Sequence, residues 1–164
     1  MTVVVVMGVA GSGKTTIGTT LAARLSTPYA EADEFHPVAN IEKMSAGHPL
    51  TDADRLPWLR AIAGWIREHQ APGGVVSCSA LKRAYRDILR SGGDVWFLHL
   101  TGSRDTLAER MRARPGHFMP VSLLDSQLAD LEPLGPDEHG SVADIADSTD
   151  DIVAAALERV RGQP

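Results

Sequence analysis

The sequence predicts an α/β fold: a central parallel sheet of about five strands with helices on both faces. Three observations carry that reading. The runs Val3-Val4-Val5-Val6, Gly74 to Ser79 and, but for His99, Val95 to Leu100 are apolar or small, as strands buried on both faces are. Each is followed by a segment whose apolar residues recur at helical spacing. Glycine- or proline-bearing junctions separate the two kinds of segment, and strand–helix–strand alternation closes most simply as a parallel sheet with right-handed crossovers.

Taken in order, Val3 to Val6 is the first strand, and Thr15 to Leu25 a helix with Ile17, Leu21 and Leu25 on one side. Tyr29 to Asp33 reads as a short extended stretch. Asp54 to Gln70 is an amphipathic helix in which Trp58, Leu59, Ile62, Trp65 and Ile66 share a face and Pro57 falls in the first turn. Gly74 to Ser79 is a strand, and Leu81 to Arg90 a helix stopped by Gly92-Gly93. Val95 to Leu100 is a strand, Arg104 to Arg114 a helix broken by Pro115-Gly116, and Val121 to Leu131 a further helix. After a loop rich in proline and glycine, Ser141 to Ala146 is a weak last strand and Asp150 to Arg161 the closing helix. The 164 residues suit one domain with a lid segment around 112–130.

Composition narrows the function classes. A formal net charge of −5 argues against nucleic acid as a partner. The apolar N-terminal run is far too short to span a bilayer, which points to a cytoplasmic protein without membrane attachment. The single cysteine, Cys78, excludes an internal disulfide and a cysteine-cluster metal site.

The chemistry begins at Gly8-Val9-Ala10-Gly11-Ser12-Gly13-Lys14-Thr15, which fits G-x-x-x-x-G-K-[ST] in full between a buried strand and a helix. Glycines let the backbone turn several N–H groups inward around a phosphate, and the helix N-terminus adds its partial positive charge. Gly8, Gly11, Ser12, Gly13, Lys14, Thr15 and Thr16 are therefore the nucleotide-binding set. Lys14 reaches the β and γ phosphates of ATP, and the Thr15 hydroxyl is the Mg²⁺ ligand.

Such a loop fits kinases, GTPase switches and mechanical ATPases alike, so the acceptor side has to decide. Three clusters bear on it. Glu31-Ala32-Asp33, with His36 behind, puts an acid where it could hold metal-bound water or accept a hydroxyl proton. No Walker B aspartate ends the Val75-Val76-Ser77-Cys78-Ser79 strand, so Asp33 is expected as the acid nearest the metal. Lys82 and Arg86, four apart at the start of a helix, would share a face and meet an anionic ligand together with the helix N-terminal amides. Arg110, Arg112, Arg114 and His117 flank the Pro115-Gly116 break, as arginines on a closing lid would, with Arg114 neutralising charge on the phosphoryl group in transfer.

These motifs carry a resemblance. Gly8 to Thr15, His36-Pro37, Asn40 to Met44, Gly47 to Leu50, Asp52 to Leu59, Cys78 to Lys82, Tyr85-Arg86-Asp87, Gly116-His117-Phe118 and Ser126-Gln127 together resemble the bacterial gluconokinases from about residue 3 to residue 134. The resemblance implies the P-loop kinase fold and ATP- and Mg²⁺-dependent phosphorylation of D-gluconate to 6-phospho-D-gluconate, commonly by a homodimer, feeding the pentose phosphate or Entner–Doudoroff routes. It implies that Asp33 faces the acceptor hydroxyl. Arg55, Lys82, Arg86, His117 and Gln127 would line or close the gluconate pocket with His36, and Arg110 would lie against the adenine. The family usually reads Asp-Gly-Asp where this chain has Glu31-Ala32-Asp33. A kinase for another small hydroxy acid, shikimate among them, and a nucleotide-dependent switch without an acceptor are the alternatives.

Overall fold

A computed structural model describes residues 2–113 and 121–162. Five parallel strands form one sheet, β1 (Val3–Met7), β2 (Tyr29–Glu31), β3 (Gly74–Ser77), β4 (Val95–Thr101) and β5 (Gly140–Asp144), in the order β2-β3-β1-β4-β5. Central β1 pairs Val3 with Gly74 on one side and with Val95 on the other. All strands run the same way, so the loops after β1, β2 and β3 open together at their carboxyl ends, where ligands of such sheets bind.

The continuous valine run is explained by what covers each face. Val4 and Val6 pack with Ile17 and Leu21 of α1 (Lys14–Leu25), and with residues of α5 (Arg104–Ala113), α6 (Val121–Asp130) and α7 (Thr149–Arg161). Val3 and Val5 face the other way, onto Trp58, Leu59, Ile62 and Ile66 of α3 (Asp52–Glu68) and Tyr85 and Leu89 of α4 (Arg83–Arg90). With both faces apolar, no alternation survives in the sequence. Cys78 is buried against the same α3–α4 face, and desolvation pushes its thiol up to about 12, so it is inert packing.

Three elements differ from the sequence expectation. Helix α3 starts at Asp52, because Thr51 and Asp54 form a capping box: the Thr51 hydroxyl accepts the Asp54 N–H at 3.1 Å and the Asp54 carboxylate accepts the Thr51 N–H at 2.8 Å. Pro57 thus lies in the second turn, not the first. Beyond β2 the chain tightens into a 3₁₀ turn, Ala32–Phe35, so Asp33 is on a turn and not on a strand. Helix α2 (Val38–Ser45) has no counterpart in the sequence reading: Val38, Ile41 and Met44 recur at helical spacing but are exposed, and its buried residue is Asn40. Among the described residues no helix is long and apolar enough to cross a membrane.

Gly18, inside α1, is required by a close approach. A Cβ there would stand 2.6 Å from both Ser77 Oγ and Tyr29 Cε1. Helix propensity alone predicts that Gly18→Ala stabilises by about 1 kcal/mol. Overpacking reverses the sign, and a net loss of about 1–3 kcal/mol is expected. A thermal melt reads this as a lower midpoint; an unchanged or higher midpoint would show that α1 can move away from β2 and β3.

Candidate active site

The loop between β1 and α1 has the geometry of an anion cradle. Gly11 and Gly13 adopt φ of 81° and 89°, left-handed conformations that a side chain would strain. A Cβ on Gly11 would also meet the Leu107 carbonyl and Met111 at 2.9 Å. Gly13 caps α1 without any side-chain hydrogen bond, and no acid lies in the first turn. The first amides of the helix are therefore left for an external acceptor, which is the fit a polyphosphate requires. Lys14 curls over the loop, its Nζ donating to the carbonyls of Gly8 at 3.0 Å and Val9 at 3.1 Å. Ser12 is buried and its Oγ has no hydrogen-bond partner among the described residues. Thr16, one residue beyond Thr15, is exposed in the first turn of α1.

The acid on the Thr15 hydroxyl is Glu31. Thr15 Oγ1 donates to Glu31 Oε1 at 2.5 Å, and the Tyr29 hydroxyl lies 2.6 Å from the same oxygen. Burial first, and then the neighbouring Glu31 carboxylate, push the Tyr29 phenol well above its ordinary range. The phenol is thus a fixed hydrogen-bond donor. The extra methylene of glutamate lets residue 31 reach across to α1. Asp33, expected as the acid nearest Thr15, is exposed on its 3₁₀ turn, and the acid in contact with Thr15 is Glu31.

The Asp33 turn is tied to α3. Trp58 Nε1 donates to the Ala32 carbonyl at 2.6 Å, and the His36 ring stacks on Trp58 with centroids 4.4 Å apart and planes 10° from parallel. His36 Nδ1 lies 3.3 Å from the Asn40 side-chain amide. Burial lowers the His36 pKa from its ordinary value, which favours the neutral ring.

One turn along the same helix stands a cation cluster. Arg55 donates to the Tyr85 hydroxyl at 3.1 Å, and Arg55 and Lys82 sit over the Tyr85 ring at 5.7 and 5.6 Å from its centroid. The loop carrying Lys82 begins at the phosphate loop, where the Gly8 N–H donates to the Ser79 carbonyl at 3.3 Å. Lys82 itself is the extended residue that caps α4, so it is not on a shared helical face with Arg86.

Arg86 is the clearest correction. Its side chain is fully buried and ion-paired to Glu138 at 2.7 Å. Nε and one terminal nitrogen donate to the Glu138 carboxylate, and the rest of the guanidinium donates to the carbonyls of Ala80, Leu81 and Pro133. All five of its donors are spent inside the protein. Arg86 therefore cannot line an acceptor pocket; it pins the Ala80-Leu81 segment, including Ala80 at a φ of 46°, that delivers Lys82.

Gln127 of α6 reaches the phosphate loop, where its Oε1 accepts the Ala10 N–H at 2.7 Å. Arg110 donates to the Ile145 carbonyl at 2.7 Å, next to the end of β5, and its other terminal nitrogen is 3.9 Å from where a Gly13 Cβ would be. Arg114 and His117 lie outside the described residues, as does most of the joint between α5 and α6. Glu31 was named in the sequence only as part of the Glu31-Ala32-Asp33 cluster, and Asn40, Asp52 and Tyr85 only within the motifs of the resemblance, without roles of their own. Only the capping pattern at Thr51 to Asp54 gave any local signal for one of their neighbourhoods.

Comparison with known proteins agrees with this architecture. The family model for shikimate kinase matches residues 10–153. A gluconokinase of Gluconobacter oxydans is 56% identical over 138 residues, covering 82% of this chain and 77% of that protein. The thermosensitive gluconokinase of Escherichia coli is 47% identical over 161 residues, covering 93% and 86%. The crystal structure of a gluconokinase from Sinorhizobium meliloti superposes with a TM-score of 0.88 at 47% identity, over 98% of this chain and 91% of that one. With a phosphate loop, a parallel sheet in this order and that degree of identity along most of its length, the chain belongs to the gluconokinase family of P-loop kinases.

Proposed function

We propose that the protein transfers the γ-phosphoryl group of ATP to the terminal hydroxyl of D-gluconate, forming 6-phospho-D-gluconate and ADP. The observation that carries this reading is the pair of cations over one phenol ring, Arg55 from α3 and Lys82 from the segment that leaves β3 beside the phosphate loop. Two cations with a hydroxyl between them suit the carboxylate end of a sugar acid, and leave its far hydroxyl free to point toward the nucleotide.

The division of labour follows. The loop amides and Lys14 hold the phosphates and neutralise charge as the hydroxyl oxygen bonds to phosphorus and the β–γ bridging bond breaks. Asp33 orients the hydroxyl and takes its proton. Arg110 lies toward the adenine, with His36 beside the acceptor; Arg114 and His117 would close over the transfer from the lid. The oxygens of Thr15 and Glu31 suit Mg²⁺, which takes few protein ligands and completes its shell with phosphate and water. When bound it supplies charge neutralisation between the β and γ oxygens. Family membership also supports a homodimer and a cytoplasmic setting.

A coupled ADP-release assay across gluconate, shikimate, glucose and adenylyl sulfate tests the acceptor, with stimulation expected from gluconate alone. In the same assay Lys82→Ala should raise the gluconate KM by about 10- to 100-fold, the loss of one charge-assisted hydrogen bond, with a much smaller change in kcat. If both constants stay at wild-type values, Lys82 does not hold the acceptor.

A further inference from the structure

In the cation cluster a carboxylate already occupies the focus. Asp52 Oδ1 lies 2.5 Å from the Tyr85 hydroxyl, 3.5 Å from Lys82 Nζ and 3.9 Å from the nearest Arg55 nitrogen. Its side chain is nonetheless 68% exposed, so it stands at the mouth of the cluster and not beneath it. Arg55 donates to the Tyr85 hydroxyl, and that hydroxyl donates to Asp52, which makes one polarised chain from guanidinium to carboxylate.

The charge balance of the four residues is informative. Counting the groups in direct contact, two cations and one carboxylate leave the cluster at a net +1, the complement of one carboxylate, while Asp130 acts on Lys82 from outside it. Without Asp52 the same two cations would suit a doubly charged anion at least as well. Exposed ion pairs contribute little to stability, so the pairing of Asp52 with Lys82 and Arg55 adds little to the fold itself.

Building on the proposed gluconate reading, we propose that Asp52 is the specificity-determining residue of the acceptor subsite. One of its oxygens keeps Arg55, Lys82 and Tyr85 gathered for the acceptor carboxylate. The other accepts a hydrogen bond from a hydroxyl near that carboxylate, while its charge turns away dianions. The subsite therefore selects a singly charged hydroxy acid.

Asp52→Asn keeps the shape and removes the charge. The experiment measures the gluconate KM at saturating ATP and the inhibition constant of inorganic sulfate competing against gluconate. Loss of a charge-assisted hydrogen bond should raise the gluconate KM by about tenfold, with kcat changed by less than about threefold. Removing one negative charge a few ångströms from the anion should tighten sulfate by about fivefold. Asp52→Glu, which restores the charge, should return both constants toward wild type. The melting midpoint accompanies each variant, because a structural role would weaken both ligands together and lower it. Constants that move in the same direction, or that stay within about twofold of wild type, would overturn the role of Asp52. Wild-type protein that turns over no gluconate would instead overturn the function on which it rests.

Discussion

Lys14→Ala should lower kcat by about a thousandfold or more, the scale on which a single transition-state cation acts in phosphoryl transfer. That fall corresponds to about 4 kcal/mol of barrier. Its Nζ already stands over the phosphate loop, where it donates to the Gly8 and Val9 carbonyls. As phosphorus parts from the bridging oxygen, charge gathers on oxygens that the ammonium can reach, so its effect belongs to the transition state more than to the ground state. Single-turnover measurements with saturating ATP and gluconate separate the two: the chemical step should collapse while binding of ATP weakens far less. Lys14→Arg should not rescue, because a planar fork cannot replace a compact ammonium among the loop carbonyls. A fall in kcat below about tenfold would mean that the loop amides and the metal carry the charge between them, and Lys14 would lose its assigned role.

The phosphate loop was legible because its information is local. Eight consecutive residues contain the glycines, the lysine and the threonine, and the strand and helix on either side are read from the same stretch. Sheet architecture was legible for a related reason: Val3 to Val6 is apolar at every position because α1 and α7 cover one face and α3 and α4 the other. Helix α2 went unread although Val38, Ile41 and Met44 recur at helical spacing, because its one buried residue is the polar Asn40 and the apolar face looks outward. So did the start of α3, where a two-residue capping box outweighs the helix-breaking reputation of Pro57.

The candidate site divides along the same line. Lys14 meets the Gly8 and Val9 carbonyls of its own loop, and contacts that local are written in one motif. Contacts between remote residues leave no such trace. Gln127 meets Ala10 at a separation of 117 residues, and Glu31 meets Thr15 across two elements. Tyr85 and Leu89 mark a buried stripe of α4, and Arg86 beside them falls on its edge. The four-residue spacing from Lys82 had put this arginine on an outward face, and the structure turns it inward. What the spacing could not supply is Glu138, which sits 52 residues later in a loop of prolines and glycines.

That pair sets the largest expected effect on stability. Arg86→Met leaves Glu138 buried without its main partner, and breaking such a pair costs about 3–5 kcal/mol. For a chain of this size the melting midpoint should drop by about 10 °C. Arg83 softens the loss only slightly, since it stands 3.5 Å from Glu138 and is already bound to Asp137 and Asp87. Acidity distinguishes this account from simple loss of packing. In the wild type, burial raises the Glu138 pKa, but hydrogen bonds from Arg86 and the Gly135 N–H outweigh it and hold the carboxyl below the usual range. Its contribution is therefore complete above the unfolded value and drains away as pH falls through the folded one. In Arg86→Met the sign reverses: an unpaired buried carboxylate has a raised pKa, and protonation relieves it. The gap in midpoint between the two proteins should be widest near neutrality and should narrow steadily as the solution is acidified through the carboxylate range. Arg86→Met combined with Glu138→Gln removes the stranded charge and should recover part of the loss at neutral pH. A gap that stays constant with pH, together with a double variant no better than the single, would mean that Arg86 acts through the Ala80, Leu81 and Pro133 carbonyls it holds and not through its charge.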